Sequence, residues 1–177
     1  YDLDGDLDLF IGSGPANGTR DPDNLYRNLL AETGTATFER LTGLNIADDE
    51  RDGQVMNWVD YDNDGDFDLF VTNYWGRGDE SESENPDFFS MSPSFYRNDG
   101  DGTFTKLRNE ATQPVSGFDL SNTWGDVDND GDLDLLIVTA RQTLGAGEER
   151  LFYNDGDGTF TRATDGELVT ERTTSSG

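Results

Sequence analysis

The sequence predicts an all-β fold that is built from a repeated unit of short antiparallel strands. Three observations support this prediction: apolar residues occur in short runs without helical periodicity, glycine-rich turns separate these runs, and the whole arrangement returns along the chain. One acidic nine-residue pattern occurs twice in full, as DYDNDGDFD at residues 60–68 and as DVDNDGDLD at residues 126–134. The chain opens inside a third copy, at residues 1–8.

The repeat is about sixty residues long. Trp58 and Trp124 precede the two complete acidic loops and lie 66 residues apart, and Phe38 and Phe104 show the same spacing. A second block, FYRNDGDGTF at residues 95–104, returns as FYNDGDGTF at residues 152–160, and a weaker copy starts with LYRN at residues 25–28. Counted from the acidic loops, one partial domain of residues 1–177 is predicted to contain repeats at about 1–59, 60–125 and 126–177.

Each repeat is predicted to contain four strands. Residues 54–59 and 121–125 lead into the acidic loops, and residues 67–72 and 133–139 leave them. The run LLIV at residues 135–138 is apolar on both faces, which is typical of a strand that is covered on both sides. The third and fourth strands are the FYRN-like and TFT segments, and the DGDG turns join them because glycine readily adopts positive φ.

Four strands in about sixty residues, with both faces covered by neighbouring repeats, indicate the blades of a β-propeller. The chain would then form a partial propeller of about three blades, each a four-stranded antiparallel sheet. A β-sandwich is the main alternative. Three blades do not close a ring, so the two terminal blades are expected to expose apolar faces and strand edges.

The composition points to cations as partners. Only 32% of the residues are hydrophobic, and 38 acidic residues face 12 basic ones, giving a net charge of −26. A compact state with this charge repels itself unless counter-charge is bound, and nucleic acids or anionic membranes would need basic patches. The chain contains no Cys and no His, which removes thiolate zinc sites and the commonest general base and leaves oxygen atoms as metal ligands.

The acidic loops are predicted to bind Ca²⁺, which takes about six to eight oxygen ligands and tolerates irregular geometry. Gly65 and Gly131 stand at the sixth position and would make the bend. The alternative, a solvated acidic turn, does not require the full spacing to recur. The predicted side-chain ligands are Asp60, Asp62, Asp64 and Asp68 in the second loop and Asp126, Asp128, Asp130 and Asp134 in the third, with the backbone carbonyls of Asp66 and Asp132 as additional ligands.

The opening loop retains fewer ligands. It keeps the side chains of Asp2, Asp4 and Asp8 and the carbonyl of Asp6 but lacks the first position, so its site is expected to be weak or empty. None of the loops is an EF-hand, because the twelfth position is Val71 in one and Ile137 in the other, where an EF-hand has a bidentate Glu.

These motifs together resemble the VCBS/FG-GAP repeat family, which is related to the integrin α-chain propeller. The resemblance rests on WGDVDNDGDLDL at residues 124–135, followed by FYNDGDGTF at residues 152–160. It implies a seven-bladed propeller in the intact protein, calcium in the loop between the first two strands of a blade, and extracellular or cell-surface use. The chain departs from the family in lacking literal Phe-Gly and Gly-Ala-Pro segments, and its first repeat has residues 29–36 in place of the DGDG turn.

Other side chains have a structural and a functional interpretation. The carboxylates of the DGDG turns could hold a second cation, but their short spacing favours simple hairpins; these residues are Asp99, Asp101, Asp155 and Asp157. Trp58 and Trp124 are expected to belong to the core between blades rather than to stack on a ligand. Arg77, Gly78 and Asp79 match a tripeptide that integrins read, in a polar insert at residues 74–94 where chance occurrence is common.

The functional prediction is a non-catalytic, calcium-binding propeller module for adhesion or protein recognition in a secreted or cell-surface protein, with a periplasmic location as the alternative. The sequence offers no catalytic triad, and its acidic loops are assigned to metal. The partners expected are calcium and a protein or glycan ligand, without nucleic acid or membrane insertion. The alternatives are a lectin-like propeller, in which an exposed aromatic such as Trp75 would contact sugar, and an accessory domain of a larger extracellular enzyme.

Overall fold

The protein consists of three antiparallel β-sheets with two short helical segments in the residues that this computed structural model describes, which are 1–13, 22–47, 53–73, 92–112, 118–140 and 148–166. The elements, in chain order, are β1 (Leu9–Ile11), β2 (Asn24–Asn28), α1 (Leu30–Thr33), β3 (Phe38–Leu41), β4 (Gly53–Val59), β5 (Asp68–Asn73), β6 (Ser94–Asn98), β7 (Phe104–Leu107), a 3-10 helix (Glu110–Thr112), β8 (Phe118–Gly125), β9 (Asp134–Ala140), β10 (Glu148–Asn154) and β11 (Phe160–Arg162).

Every sheet is a meander in which each strand pairs with the next one along the chain. The first sheet has the order β1-β2-β3, the middle sheet β4-β5-β6-β7, and the last sheet β8-β9-β10-β11. The middle and last sheets therefore have the four antiparallel strands that the sequence predicts for a blade, and the first sheet has three strands in the described residues. Where the first repeat lacks the DGDG turn, the chain instead forms the one-turn helix α1, which ends at Gly34 with a φ of 71°.

The middle sheet is covered on both faces. Leu69 and Val71 of β5 belong to the core shared with the first sheet, whereas Phe70 between them belongs to the core shared with the last sheet. This division follows from the two-residue period of a strand, which points successive side chains to opposite faces. All six residues of β5 are consequently buried.

The outer sheets are covered on one face within the described residues. In β9, Leu135 and Ile137 are buried against the middle sheet, but Leu136 and Val138 are only half-buried, so the second face of this strand is incompletely covered within the described residues. The reason is that no further sheet packs on that side in the part of the chain that the structure describes. Leu9 and Ile11 of β1 are exposed in the same way, as expected for terminal blades.

Aromatic residues fill the space between neighbouring sheets. Trp58 contacts Phe10 of the first sheet, with ring centroids 6.3 Å apart. Trp124 of the last sheet contacts Phe70 and Phe95 of the middle sheet at 5.6 and 5.8 Å. Both tryptophans therefore belong to the core between sheets, which confirms their structural interpretation.

The stacking of three sheets distinguishes the architecture from a sandwich, which has two. The middle sheet packs through one face on the first sheet and through the other on the last. This arrangement is consistent with a partial propeller of blades. No helix in the described residues is both long enough and apolar enough to cross a membrane.

Candidate metal centre

The acidic loops connect the first two strands of the complete sheets. The second loop, residues 60–68, runs from β4 into β5, and the third loop, residues 126–134, runs from β8 into β9. The first loop, residues 1–8, leads into β1. The placement of the two complete loops between the first and second strands is as the family resemblance implied.

The three loops share one feature of their backbone. The fourth and sixth positions have positive φ in every copy, as seen for Asn63 at 57° and Gly65 at 96° and again for Asn129 at 62° and Gly131 at 101°. Asparagine tolerates this left-handed region better than most residues. The bend therefore does not depend on glycine alone, as the sequence pattern suggested, and the Asn at the fourth position of both complete loops is a sequence signal for it.

In the second loop, three carboxylates converge. Asp60, Asp62 and Asp68 each place one oxygen within 4.8 Å of the others. Oδ1 of Asp60 and Oδ1 of Asp62 are buried and have no hydrogen-bond partner in the described structure. The predicted ligand Asp64 lies outside this group, and its Oδ1 instead accepts a bond from the backbone N–H of Asp66 at 2.9 Å. Buried oxygens without a donor are what a bound cation would satisfy.

The third loop repeats this arrangement. Asp126, Asp128 and Asp134 converge within the same 4.8 Å, whereas Asp130 accepts the backbone N–H of Asp132 at 2.9 Å. The same three of the four predicted side chains are thus brought together in both complete loops. The predicted carbonyl ligands belong to Asp66 and Asp132, which stand two residues after Asp64 and Asp130.

The first loop is arranged differently. Asp4 and Asp6 converge with Glu32, a residue of α1 that the sequence analysis missed because it lies far from the loop in the chain. The other two predicted side chains are engaged elsewhere: Asp8 Oδ2 accepts the amino group of Tyr1 at 2.7 Å, and Asp2 forms an ion pair with Arg27. Glu32 also pairs with Arg27.

The aspartate at the ninth position is held by backbone amides. Oδ2 of Asp68 accepts the N–H of Tyr61 at 3.2 Å, and Oδ1 accepts the N–H of Asn98 at 2.8 Å. Asp134 is held in the same way, by Val127 at 2.8 Å and Asn154 at 2.9 Å. These bonds orient the carboxylate toward the other two aspartates before any ion arrives.

Burial, and to a smaller extent the neighbouring carboxylates, oppose ionisation of the loop aspartates. Burial raises the pKa of Asp68 to about 7, although the two backbone N–H bonds act in the opposite direction. Loss of hydration and the neighbouring Asp64 raise the pKa of Asp62, and loss of hydration and Asp130 raise that of Asp128. A cation between the carboxylates would remove this penalty. The donor set of both complete loops therefore fits a hard divalent cation such as Ca²⁺.

One asparagine in each complete sheet joins two loops. The side-chain Nδ2 of Asn98 donates to the carbonyls of Tyr1 and Phe67 at 2.9 and 3.3 Å. Nδ2 of Asn154 donates to the carbonyls of Tyr61 and Leu133 at 2.7 and 3.3 Å. The sequence blocks that contain these asparagines gave no sign of this role, because one acceptor of each asparagine lies in the preceding repeat.

The DGDG segments are hairpin turns. The N–H of Asp99 donates to the carbonyl of Thr103 at 3.0 Å, and the Asp101 side chain accepts the Thr103 hydroxyl at 2.6 Å. The corresponding residues Asp155 and Asp157 accept bonds from the hydroxyl of Thr159 at 2.9 and 2.6 Å. These turns therefore confirm the hairpin interpretation of the four aspartates.

Replacing Gly156 by alanine is expected to lower the free energy of unfolding by at least about 1–2 kcal/mol, the cost of a left-handed L-residue. Gly156 has a φ of 71°, and a Cβ there would lie only 2.5 Å from Oδ2 of Asp132. Urea unfolding measures the effect. Gly125→Ala is the matched control, since a Cβ at that position meets no atom within 4 Å. Equal stability of the two variants would contradict this account of the turn.

Two features of the sequence lie outside the described residues. They are the tripeptide Arg77, Gly78 and Asp79 and the aromatic residue Trp75.

Four-stranded meanders that stack face to face, with an acidic loop after the first strand, define a β-propeller repeat module. Residues 84–137 match the family model of the FG-GAP-like repeat, a segment that includes β6, β7, β8 and the whole third loop. This match is consistent with the FG-GAP/VCBS-type repeat that the motifs implied. No curated protein matches the chain.

Proposed function

We propose that the chain is a non-catalytic, calcium-binding β-propeller module of a secreted or cell-surface protein, with a role in adhesion or protein recognition. One observation carries the calcium assignment. The same three carboxylates converge in both complete loops, and in the second loop two of their buried oxygens have no donor in the described structure. All three repeats are proposed to belong to one partial propeller domain, residues 1–177.

Calcium would act as a structural clasp. Asp60, Asp62 and Asp68 would hold it in the second loop, and the equivalent residues Asp126, Asp128 and Asp134 in the third. Asp64, Asp130 and the carbonyls of Asp66 and Asp132 are proposed to complete the two coordination shells. An ion at each loop would fix the connection between the first two strands of a sheet and would offset part of the net charge of −26.

The recognition role is supported by the class of module and by the metal sites, which stabilise loops and supply no reacting group to a substrate. A protein ligand is the proposed partner, and a glycan is the alternative. A glycan array probed with the calcium-loaded protein separates them. Selective binding to particular sugars would replace protein recognition by a lectin-like function.

Calcium at a hundredfold excess over its Kd is expected to raise the free energy of unfolding by about 2.7 kcal/mol for each site, or roughly 5–10 °C in Tm. The effect arises because the unfolded chain does not assemble the carboxylates. Differential scanning calorimetry with calcium and with chelator measures it. Asp62→Ala and Asp128→Ala should each remove at least about half of the total response of the two complete loops.

Asp165→Ala is the control for this experiment, because it removes one negative charge from an exposed residue outside the loops. It should keep the full calcium response. If calcium does not raise Tm, or if Asp62→Ala responds as strongly as the wild type, the loops are not calcium sites.

A further inference from the structure

Asn154 contacts both complete acidic loops at once. Its side-chain nitrogen donates to the carbonyl of Tyr61, which stands between the ligands Asp60 and Asp62 of the second loop. The same nitrogen donates to the carbonyl of Leu133 in the third loop, and the backbone N–H of Asn154 holds Oδ1 of the ligand Asp134. Asn154 is only 2% exposed, so water does not easily replace these bonds.

The orientation of this amide group follows from its surroundings. Oδ1 of Asn154 accepts the backbone N–H of Gly156 at 3.2 Å, while the nitrogen faces two carbonyls. Exchanging the oxygen and the nitrogen would place like partners against each other at all three contacts. The side chain therefore has one satisfied arrangement, and that arrangement includes both loops.

A second contact joins the same two loops at the surface. The side-chain Nδ2 of Asn63 donates to Oδ1 of Asp132 at 2.7 Å. Asn63 occupies the fourth position of the second loop and has a φ of 57°. Asp132 lies two residues before the end of the third loop. The backbone conformation of Asn63 in the second loop thus determines whether its side chain reaches Asp132 in the third loop.

We propose that Asn154 and Asn63 couple the two complete loops, so that calcium bound in one raises the calcium affinity of the other. This inference rests on the proposed calcium function. An ion held by Asp60 and Asp62 fixes the peptide between them, whose carbonyl is the acceptor for Asn154. An ordered Asn154 in turn holds Asp134 and the carbonyl of Leu133. The third loop therefore loses less conformational entropy when it binds its own ion.

Site-resolved calcium titration tests the coupling. The amide NMR resonances of Gly65 and Gly131 report the second and third loops separately in the full chain. Asp62→Ala is expected to weaken calcium binding at the third loop by about fivefold or more, the lower end of typical coupling between sites. Linkage requires Asp128→Ala to weaken the second loop by the same factor.

Asn154→Ala is expected to abolish the coupling, so that adding Asp62→Ala then changes the affinity of the third loop by less than about twofold. Asn98→Ala is the matched control, because Asn98 is equally buried and joins the first and second loops instead. If both variants lose the coupling equally, or if both keep it, the assignment to Asn154 is overturned.

Asn63→Gly provides a variant at an exposed position, where glycine preserves the positive φ and deletes the donor. The coupling factor is the ratio by which Asp62→Ala weakens calcium binding at the third loop, and Asn63→Gly should reduce it by at least about half. Asn129→Gly, at the same position of the third loop, should leave this factor unchanged. If Asn154→Ala does not fold, the comparison of Asn63→Gly with Asn129→Gly tests the proposal. An unchanged coupling factor in Asn63→Gly overturns it. Calcium binding without any effect of Asp62→Ala on the third loop refutes the coupling alone, and the absence of calcium shifts at both glycines refutes the proposed function.

Discussion

Replacing Phe95 by alanine is expected to lower the free energy of unfolding by about 3–5 kcal/mol, the usual cost of truncating a buried Phe. Phe95 is fully buried in β6 and contacts the rings of Tyr61, Phe70 and Trp124 at 4.8, 5.3 and 5.8 Å. It also contacts Phe160 at 6.0 Å, so its loss would open a cavity between the middle and last sheets. Urea unfolding of the calcium-loaded protein measures the change.

Phe38→Ala is the control for this prediction, because Phe38 is 52% exposed. Its removal deletes the same chemical group without leaving a closed cavity, so the expected loss is below about 1 kcal/mol. Comparable losses in the two variants would show that the core between the sheets does not depend on Phe95.

Replacing Asp119 by alanine is expected to cost about 3–5 kcal/mol, as is typical when one partner of a buried ion pair is removed. Asp119 lies in β8 and is fully buried, and its Oδ1 accepts bonds from Arg150 at 2.5 Å and from the hydroxyl of Thr139 at 2.7 Å. Burial raises the pKa of Asp119, and Arg150 acts in the opposite direction. Without Asp119, the guanidinium of Arg150, itself 1% exposed, would remain buried and uncompensated.

Two controls separate burial from charge in this experiment. Asp99→Ala breaks the exposed pair with Arg97, which has an N–O distance of 2.8 Å, and should cost less than about 1 kcal/mol. Replacing both partners together, as Asp119→Leu with Arg150→Met, should recover most of the loss because no charge is left buried. If the double variant is as unstable as Asp119→Ala, the cost comes from packing rather than from the unpaired charge.

The two ends of the last sheet carry different arrangements of charge. Asp119 lies near the start of β8, opposite Thr139 near the end of β9, and the pair is compensated within the protein. At the other end, Gly125 is opposite Asp134. Asp134 belongs to the three converging carboxylates of the third loop, and this group includes no cationic side chain. The charges at the Asp119 end are compensated within the protein, whereas the Asp134 end is the one that we expect to respond to calcium.

Most of the local structure could be predicted from the sequence. The segment at residues 54–59 became β4 (Gly53–Val59), and residues 133–139 became β9 (Asp134–Ala140). Both complete loops and both DGDG hairpins occur where the pattern placed them. These features depend on neighbours in the chain, such as strand alternation and glycine at a positive φ, and repetition made each one visible more than once.

The sequence by itself therefore determined the repeat, the meander of strands and the acidic loops. Only the tertiary structure decided which carboxylates converge, namely Asp60 and Asp62 with Asp68 rather than Asp64. It also revealed Asn154 as the link between two loops and left one face of β9 half-buried. The Asn154 link and the half-buried face depend on contacts between residues that are far apart in the chain, which no local pattern encodes. The convergence within one loop depends on its three-dimensional path and on a distant donor, the backbone N–H of Asn98, that holds Asp68.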